Sequence, residues 1–312
     1  MGPRALFSAP PEHWPLWRPH LLAAFAAEGL EVALTDDPAG PWTFDYVIYR
    51  PGGPVTGFDG FTRAKAVLSL WAGVETIVGS VPPHLPLCRM VDTGLTRGMA
   101  EWVAGHVLRY HLGMDTHILG QDGVWRNGVV PPLAPDRTVG LLGLGEIGRA
   151  VAVTLAGIGF DVRGWSRRGR DLPGIATYSG PDGLTEVLAA SDILVTLLPE
   201  TPATIGLIGA EALALLPPGA RLINPGRGTL VDDDALLDAL DSGRLAHATL
   251  DVFRMEPLPP EHPFWAHPRV TVTPHIAAET RPETASETIA QNIRRGEDGQ
   301  PFLYQVSPAD GY

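Results

Sequence analysis

The feature that most constrains the fold of this chain is a glycine loop between a strand and a helix. The run TVGLL at 138–142 is typical of a buried strand. Gly143-Leu144-Gly145-Glu146-Ile147-Gly148 follows it directly and precedes the helical run RAVAVTLAGIG. The first glycine permits a tight turn, the second admits a pyrophosphate close to the backbone, and the third lets helix and strand pack closely. The helix amino terminus adds unpaired N–H groups. The loop predicts a dinucleotide-binding unit, with an ordinary βα turn as the alternative.

Short apolar segments alternate with helical ones along the chain. In the first third they begin at residues 5, 32, 46 and 66, which predicts a small parallel sheet. A second series begins at 138, 160, 193, 221, 248 and 270, with helices between its members, and predicts a doubly wound α/β sheet. The length of 312 residues fits two domains, at roughly 100–200 residues per domain.

Two further helices stand apart from the alternation. One is predicted from Met99 to about Met114 and is either a buried helix, a connection between two lobes, or a surface for another subunit. The other is RPETASETIAQNIRRGEDG, which we expect to return to the first lobe.

Charge and cysteine content limit the partners. The formal net charge of −12 disfavours nucleic acid and anionic membrane as main partners. Cys88 is the only cysteine, which excludes an intramolecular disulfide and suits a reducing compartment. The amino terminus lacks a signal-peptide pattern, and no run approaches the roughly 20 apolar residues of a membrane span. We expect a cytoplasmic protein.

The strand after the glycine loop ends in Trp165 and continues into Ser166, Arg167 and Arg168. An NAD-binding protein usually offers an acidic side chain here to the ribose hydroxyls. A serine and two guanidinium groups instead suit the 2′-phosphate of NADP(H). We expect NADP(H) to be preferred over NAD(H); the alternative is a pair of solvated arginines.

Three segments at strand ends carry side chains that suit carbonyl reduction. Arg227 in NPGRG can bind a carboxylate or polarise a carbonyl. His275 in TPHIAA can give up a proton near neutral pH, and Glu256 in DVFRMEP can fix its tautomer and favour the imidazolium. We predict catalytic roles for all three. His262 and His267 hint at a metal, but adjacent prolines break any helix that would align them, and we expect no metal site.

Together, these motifs resemble those of the D-isomer-specific 2-hydroxyacid dehydrogenases, and most closely those of the glyoxylate/hydroxypyruvate reductase A branch. The resemblance runs nearly end to end. It rests on GLGEIG at 143, WSRR at 165, LLPETPAT at 197, NPGRG at 224, DVFRMEPLP at 251, HPRVTVTPHIAA at 267 and the closing Gly311-Tyr312.

The resemblance implies two Rossmann-like domains with the active site in the cleft between them. Residues 1–98 and 282–312 would form the substrate-binding domain, and residues 99–281 the dinucleotide-binding domain. It also implies reduction of small 2-oxo acids such as glyoxylate and hydroxypyruvate, and a homodimer formed through the helix beginning at Met99.

Site residues follow from the same resemblance. The N–H groups of Ala72, Gly73 and Val74 would bind the substrate carboxylate, with Arg227 and His275 also touching substrate. Besides the glycine loop and the 166–168 segment, the cofactor would be lined by Leu198, Pro199, Thr204, Asn224, Pro225, Gly226, Asp251, His275 and Ala277.

Departures from the family pattern bear on substrate choice. Pro225 and Gly226 replace residues that precede the arginine in many relatives. Tyr49-Arg50-Pro51-Gly52-Gly53 replaces a stretch that supplies an aromatic substrate contact in the nearest branch, so Arg50 could add a second cation for a larger or diacid substrate. Two alternatives stay open, namely a dinucleotide-sensing protein of the same fold and a dehydrogenase for a different 2-oxo acid.

Overall fold

The structure is a computed structural model that describes residues 2–128 and 130–307. Gly311 and Tyr312 lie outside the described residues. The chain divides into two compact units, one made of Met1–Leu95 and Glu279–Tyr312 and the other of Thr96–Ala278.

Helices and strands alternate in both units. The helices are α1 (Trp14–Ala27), α2 (Thr93–His111), α3 (Met114–Ile118), α4 (Glu146–Ile158), α5 (Gly180–Ala190), α6 (Ala210–Leu215), α7 (Asp233–Asp241) and α8 (Pro282–Glu297). The strands are β1 (Arg4–Ser8), β2 (Ala33–Thr35), β3 (Tyr46–Tyr49), β4 (Ala66–Ser69), β5 (Leu87–Cys88), β6 (Thr138–Leu142), β7 (Asp161–Trp165), β8 (Ala176–Tyr178), β9 (Ile193–Thr196), β10 (Ala220–Asn224), β11 (Leu245–Leu250) and β12 (Val270–Val272).

The first unit is built on a five-stranded parallel sheet with the order β2-β1-β3-β4-β5. Every residue of β3 and β4 is buried, as expected for parallel strands covered on both faces. The predicted terminal helix is confirmed as α8. It begins at a proline with an acidic residue in its first turn and has two arginines in its last turn, which suits the helix dipole. Its Ile289 and Ile293 join the core that covers β3.

Helix α1 begins earlier than the predicted run LLAAFAAEG. It starts at Trp14 although Pro19 lies inside it. Trp17, Leu21 and Phe25 recur every fourth residue and are all buried. This apolar stripe stabilises the first turns despite the hydrogen bond that Pro19 cannot donate.

The second unit contains a seven-stranded parallel sheet with the order β12-β11-β10-β9-β6-β7-β8. From β6 the chain winds outward in one direction to β8, and from β9 in the other direction to β12. The two halves meet between β6 and β9, which pair directly. The predicted two-domain α/β class with doubly wound parallel sheets is confirmed, and the glycine loop after β6 lies at the topological switch point, where such folds bind ligands.

Helix α2 starts six residues before the predicted Met99. Its Val103, Val107 and Tyr110 are buried in the core of the second unit. Among the described helices, none has both the length and the hydropathy that a membrane crossing requires.

Candidate active site

The glycine loop after β6 has the geometry of an anion cradle. Gly143 has φ +107°, and a Cβ there would lie 2.6 Å from the Leu197 carbonyl oxygen. A Cβ on Gly148 would lie 1.9 Å from the Gly143 carbonyl oxygen, so only glycine lets α4 pack so close. A Cβ on Gly145 would instead meet no atom within 4 Å. Gly145 therefore borders open space rather than packed protein.

That open space adjoins the amino terminus of α4. No side chain caps the helix at Gly145, so its first-turn N–H groups remain available to a ligand. The carboxylate of Glu146 is half-buried and lies 3.6 Å from Arg149 and 3.8 Å from Arg170. The residues present fit a bound pyrophosphate.

The end of β7 presents a second polar position. The Ser166 N–H donates to the Tyr178 carbonyl oxygen at 3.1 Å, which fixes the backbone. Its Oγ is buried and has no hydrogen-bond partner among the described residues. Buried hydroxyls usually have partners. Arg167 and Arg168 follow on the exposed surface, so this corner suits a phosphorylated ribose.

His275 and Glu256 form a hydrogen-bonded pair. His275 Nδ1 lies 2.7 Å from Glu256 Oε2. The other carboxylate oxygen accepts the N–H of Phe253 at 2.9 Å, which orients it. With Nδ1 directed to the carboxylate, Nε2 of His275 is the ring nitrogen left for proton transfer. The side chain of His275 is 55% exposed, so a substrate can reach it.

An apolar wall borders this pair. A cavity of about 410 Å³ touches both His275 and Glu256. Its remaining lining consists of Phe253, Pro257, Leu258, Trp265, Val272 and Pro274. The pair therefore has apolar side chains on one side and remains partly exposed to solvent.

Asp251 holds the loop that carries His275. Its buried carboxylate accepts hydrogen bonds from Thr273 Oγ1 at 2.6 Å and from the N–H groups of Ile276 and Ala277 at 2.9 Å. Its carbonyl oxygen accepts the N–H of His275 at 2.8 Å. These bonds stabilise the left-handed backbone of His275, which has φ +54°. The sequence indicated Asp251 only as a cofactor-lining residue, and this positioning role was missed.

Arg227 lies on a tight turn after β10. Asn224 braces the turn, since its amide nitrogen donates to the Arg227 carbonyl oxygen at 2.9 Å and its Oδ1 accepts the N–H of Gly226 at 3.1 Å. A Cβ on Gly228 would lie 2.0 Å from the carbonyl carbon of Phe253. The turn of Arg227 therefore packs on the segment that orients Glu256. Of the predicted catalytic residues, Glu256 and His275 are in direct contact, and the Arg227 turn adjoins them through Phe253.

The remaining predicted cofactor residues lie in the segments after β9, β10 and β12. Leu198 is buried, and Thr204 Oγ1 donates to the Pro199 carbonyl oxygen at 2.7 Å, closing that loop. Ala277 is buried beside the core of the second unit.

The two histidines considered for a metal have separate partners. His262 Nδ1 accepts the N–H of Phe264, and His267 Nε2 lies 3.2 Å from Asp241 Oδ1.

In the first unit, the predicted substrate loop Ala72–Val74 follows β4. Within the described part of the chain, the N–H groups of Ala72, Gly73 and Val74 have no hydrogen-bond acceptor. Three successive unsatisfied donors suit an anionic ligand.

Comparisons with known proteins identify the family of the chain. Residues 106–277 match the family model described as D-isomer specific 2-hydroxyacid dehydrogenase, NAD binding domain. The glyoxylate/hydroxypyruvate reductase A of Serratia proteamaculans (strain 568) is 43% identical over 281 residues, covering 86% of this chain and 88% of that protein.

Solved structures match over the full length. A D-isomer specific 2-hydroxyacid dehydrogenase from Xanthobacter autotrophicus Py2, in complex with NADPH and MES, is 41% identical with a TM-score of 0.91 and full coverage of both chains. An NADPH-dependent glyoxylate/hydroxypyruvate reductase from Sinorhizobium meliloti, in complex with NADP and sulfate, is 35% identical with a TM-score of 0.83, covering 99% of this chain and 100% of that one. This chain belongs to the family of D-isomer specific 2-hydroxyacid dehydrogenases.

Proposed function

We propose that the protein is an NADPH-dependent reductase of small 2-oxo acids, with glyoxylate and hydroxypyruvate as the first candidates. The observation that carries the proposal is the 2.7 Å bond between His275 and Glu256, beside the turn of Arg227. The relatives support it, since two of them are named glyoxylate/hydroxypyruvate reductases.

The residues take distinct roles in this reaction. NADPH, when bound, supplies the hydride. His275 gives its Nε2 proton to the developing alkoxide while Glu256 holds Nδ1, and Arg227 binds the carboxylate or polarises the carbonyl. The N–H groups of Ala72–Val74 bind the substrate carboxylate. In the reverse direction His275 acts as the base.

Cofactor recognition follows from the glycine loop and from the 166–168 segment. The N–H groups at the start of α4 bind the pyrophosphate. Ser166, Arg167 and Arg168 bind the 2′-phosphate through charge-assisted hydrogen bonds. Leu198, Pro199, Thr204, the 224–226 turn, Asp251, His275 and Ala277 line the rest of the cofactor.

The first test is NADPH oxidation with glyoxylate, hydroxypyruvate and pyruvate, with NADH in parallel. His275→Ala should lower kcat/KM by roughly 10²–10⁴-fold, the usual contribution of a general acid. His84→Ala, on the exposed surface, is the matched control. Tight NADPH binding without turnover of any 2-oxo acid would instead favour a dinucleotide-sensing protein.

We further propose that the protein is a cytoplasmic homodimer. Eight large apolar side chains between residues 112 and 133 are exposed, and Trp125 is 88% exposed. Exposed apolar clusters of this kind mark interaction surfaces. The occupant proposed is a second copy of this chain. Sedimentation equilibrium should give a dimer that Trp125→Asp weakens; a monomer at every concentration would contradict the proposal.

A further inference from the structure

Arg50, His13 and Trp71 meet at one edge of the smaller sheet. His13 follows β1, Arg50 follows β3 and Trp71 follows β4. These three strands are adjacent and parallel, so their carboxyl ends lie at the same edge of the sheet. Arg50 Nη1 lies 3.1 Å from His13 Nδ1 and also contacts its Nε2. The Arg50 guanidinium carbon lies 5.5 Å from the centroid of the Trp71 ring. In sheets of this type the carboxyl edge is where ligands bind.

The positive charge of Arg50 has no anionic partner in the part of the chain that the structure describes. Among the described residues, no carboxylate lies within 4.0 Å of its guanidinium group. Its Nε atom is buried and has no hydrogen-bond partner in the same part of the chain. The side chain as a whole is half-buried, and a partly buried cation of this kind is usually paired. The missing partner indicates an anionic ligand.

His13 holds the guanidinium group without neutralising it. A guanidinium group only donates hydrogen bonds, so the accepting ring nitrogen of His13 carries no proton. Burial and then the Arg50 charge lower the pKa of His13, and the weaker effect of Glu12 raises it. His13 is therefore a neutral acceptor that orients Arg50, and the cluster keeps a net positive charge.

The backbone around Arg50 is fixed. Its N–H donates to the Ser8 carbonyl oxygen at 2.8 Å. Gly52 has φ +88°, and a Cβ on Gly53 would lie 2.6 Å from the Ala9 nitrogen, so this turn packs tightly on the end of β1. A rigid turn presents the guanidinium group in one place, which favours selective binding.

The cluster adjoins the loop with unsatisfied N–H groups. Trp71, which lies under the Arg50 guanidinium group, leads directly into Ala72–Val74. The first unit thus places a set of anion-binding N–H groups next to an unpaired cation. One carboxylate on the loop leaves the charge of Arg50 uncompensated, so a second anionic group is needed.

We infer that Arg50 is a specificity-determining residue that binds the distal carboxylate of a short 2-oxo dicarboxylic acid. The planar guanidinium group suits a carboxylate because it offers two parallel donors. Hydride goes to the 2-oxo carbon and the proton to its oxygen, while both carboxylates remain unchanged. This inference rests on the proposed function and names its substrate class.

The test compares matched substrates that differ only in the distal group. 2-Oxobutanoate is paired with oxaloacetate, and 2-oxopentanoate with 2-oxoglutarate. The variants are Arg50→Met, which removes the charge, and Arg50→Lys, which keeps the charge but not the planar fork. Arg18→Met is the control, because Arg18 is an exposed arginine over Trp14 at 6.0 Å in the same unit.

We expect the wild-type protein to prefer at least one dicarboxylate over its partner. Arg50→Met should lower kcat/KM for that dicarboxylate by about 10- to 100-fold, mainly through KM, because charged hydrogen bonds are lost. The kcat/KM of Arg50→Met for the monocarboxylate should change by less than about threefold. For the dicarboxylate, the kcat/KM of Arg50→Lys should lie between the values for the wild-type protein and Arg50→Met. Succinate should inhibit the wild-type protein competitively and Arg50→Met only weakly.

Two other results separate the inference from the proposed function. Equal losses for both members of each pair, or a wild-type preference for both monocarboxylates, would overturn the role of Arg50 and leave the reductase proposal standing. Absence of turnover with every 2-oxo acid would overturn both. Thermal melting of each variant identifies a loss of activity that comes from misfolding. If Arg50→Met misfolds, the substrate comparison with Arg50→Lys decides whether Arg50 binds the distal carboxylate.

Discussion

Replacing Glu256 by glutamine tests whether this carboxylate acts through His275. The two oxygens of Glu256 accept from His275 Nδ1 at 2.7 Å and from the Phe253 N–H at 2.9 Å. Glutamine has nearly the same shape but only one acceptor oxygen, so one of these donors must face an NH₂ group. The variant therefore loses the negative charge and one hydrogen bond together.

The size of the effect follows from those two losses. Replacing a charge-assisted hydrogen bond by a neutral one costs about 1 kcal/mol, and an unsatisfied donor costs about 1 kcal/mol at a partly exposed site. Both values lie at the low end because solvent screens the pair, whose side chains are 55% and 36% exposed. The sum of about 2 kcal/mol predicts a roughly 30-fold lower kcat/KM.

The assay is NADPH oxidation with the best 2-oxo acid, arranged as a double-mutant cycle with His275→Asn. In the His275→Asn background, Glu256→Gln should lower kcat/KM by less than about threefold, because Glu256 acts on the reaction only by orienting the imidazole. Glu261→Gln, an exposed carboxylate nearby, serves as the control. A full 30-fold loss in the His275→Asn background would refute the reasoning, as would an unchanged kcat/KM for Glu256→Gln alone.

Three further predictions concern the second unit. Gly145→Ala should keep the wild-type melting temperature and weaken NADPH binding in calorimetry. Gly148→Ala should destabilise the fold, whereas Gly157→Ala, in open space on the same helix, should not. Equal melting temperatures of all three variants would contradict this prediction. Ser166→Asp should lower kcat/KM for NADPH by at least about tenfold and spare NADH, because a carboxylate repels the 2′-phosphate; parallel losses would count against the assignment. Burial lowers the pKa of His247 from 6.5 to about 4, so the unfolded chain binds this proton first and stability is lost as the pH falls from about 6.5 towards 4. When the pH is lowered from about 7 to 5, the unfolding free energy of the wild-type protein should fall by about 1 kcal/mol more than that of His247→Asn, after discounting for partial exposure. Urea titrations measure both values, and identical losses would rule this prediction out.

Strand pattern and the glycine loop were predictable because both are local. The run TVGLL became β6, and the helix after Gly145 became α4 at the residue where the N–H groups become available. Two strands were not predicted. β5 and β8 contain two and three residues, too few to display a period, and both lie at sheet edges where pairing with one neighbour defines them.

The chemistry of the candidate site was predictable in its residue types, and its support was not. The sequence indicated His275, Glu256 and Arg227 because they follow strands of one sheet. The cluster of Arg50 with His13 and Trp71 joins three strand ends that are far apart along the chain. Such a contact depends on the strand order β1-β3-β4, which no local pattern encodes.

Asp251 illustrates the same limit within the second unit. It directly follows β11, which pairs with β12. Its carboxylate meets the N–H groups of the loop after β12 only because the two strands pair in parallel. That pairing lets a non-glycine residue adopt φ +54° at His275, a conformation that costs about 1–2 kcal/mol by itself. Three hydrogen bonds to a buried carboxylate exceed that cost. The imidazole is therefore positioned from its backbone by Asp251 and from its ring by Glu256, and the two constraints together leave Nε2 in a single direction.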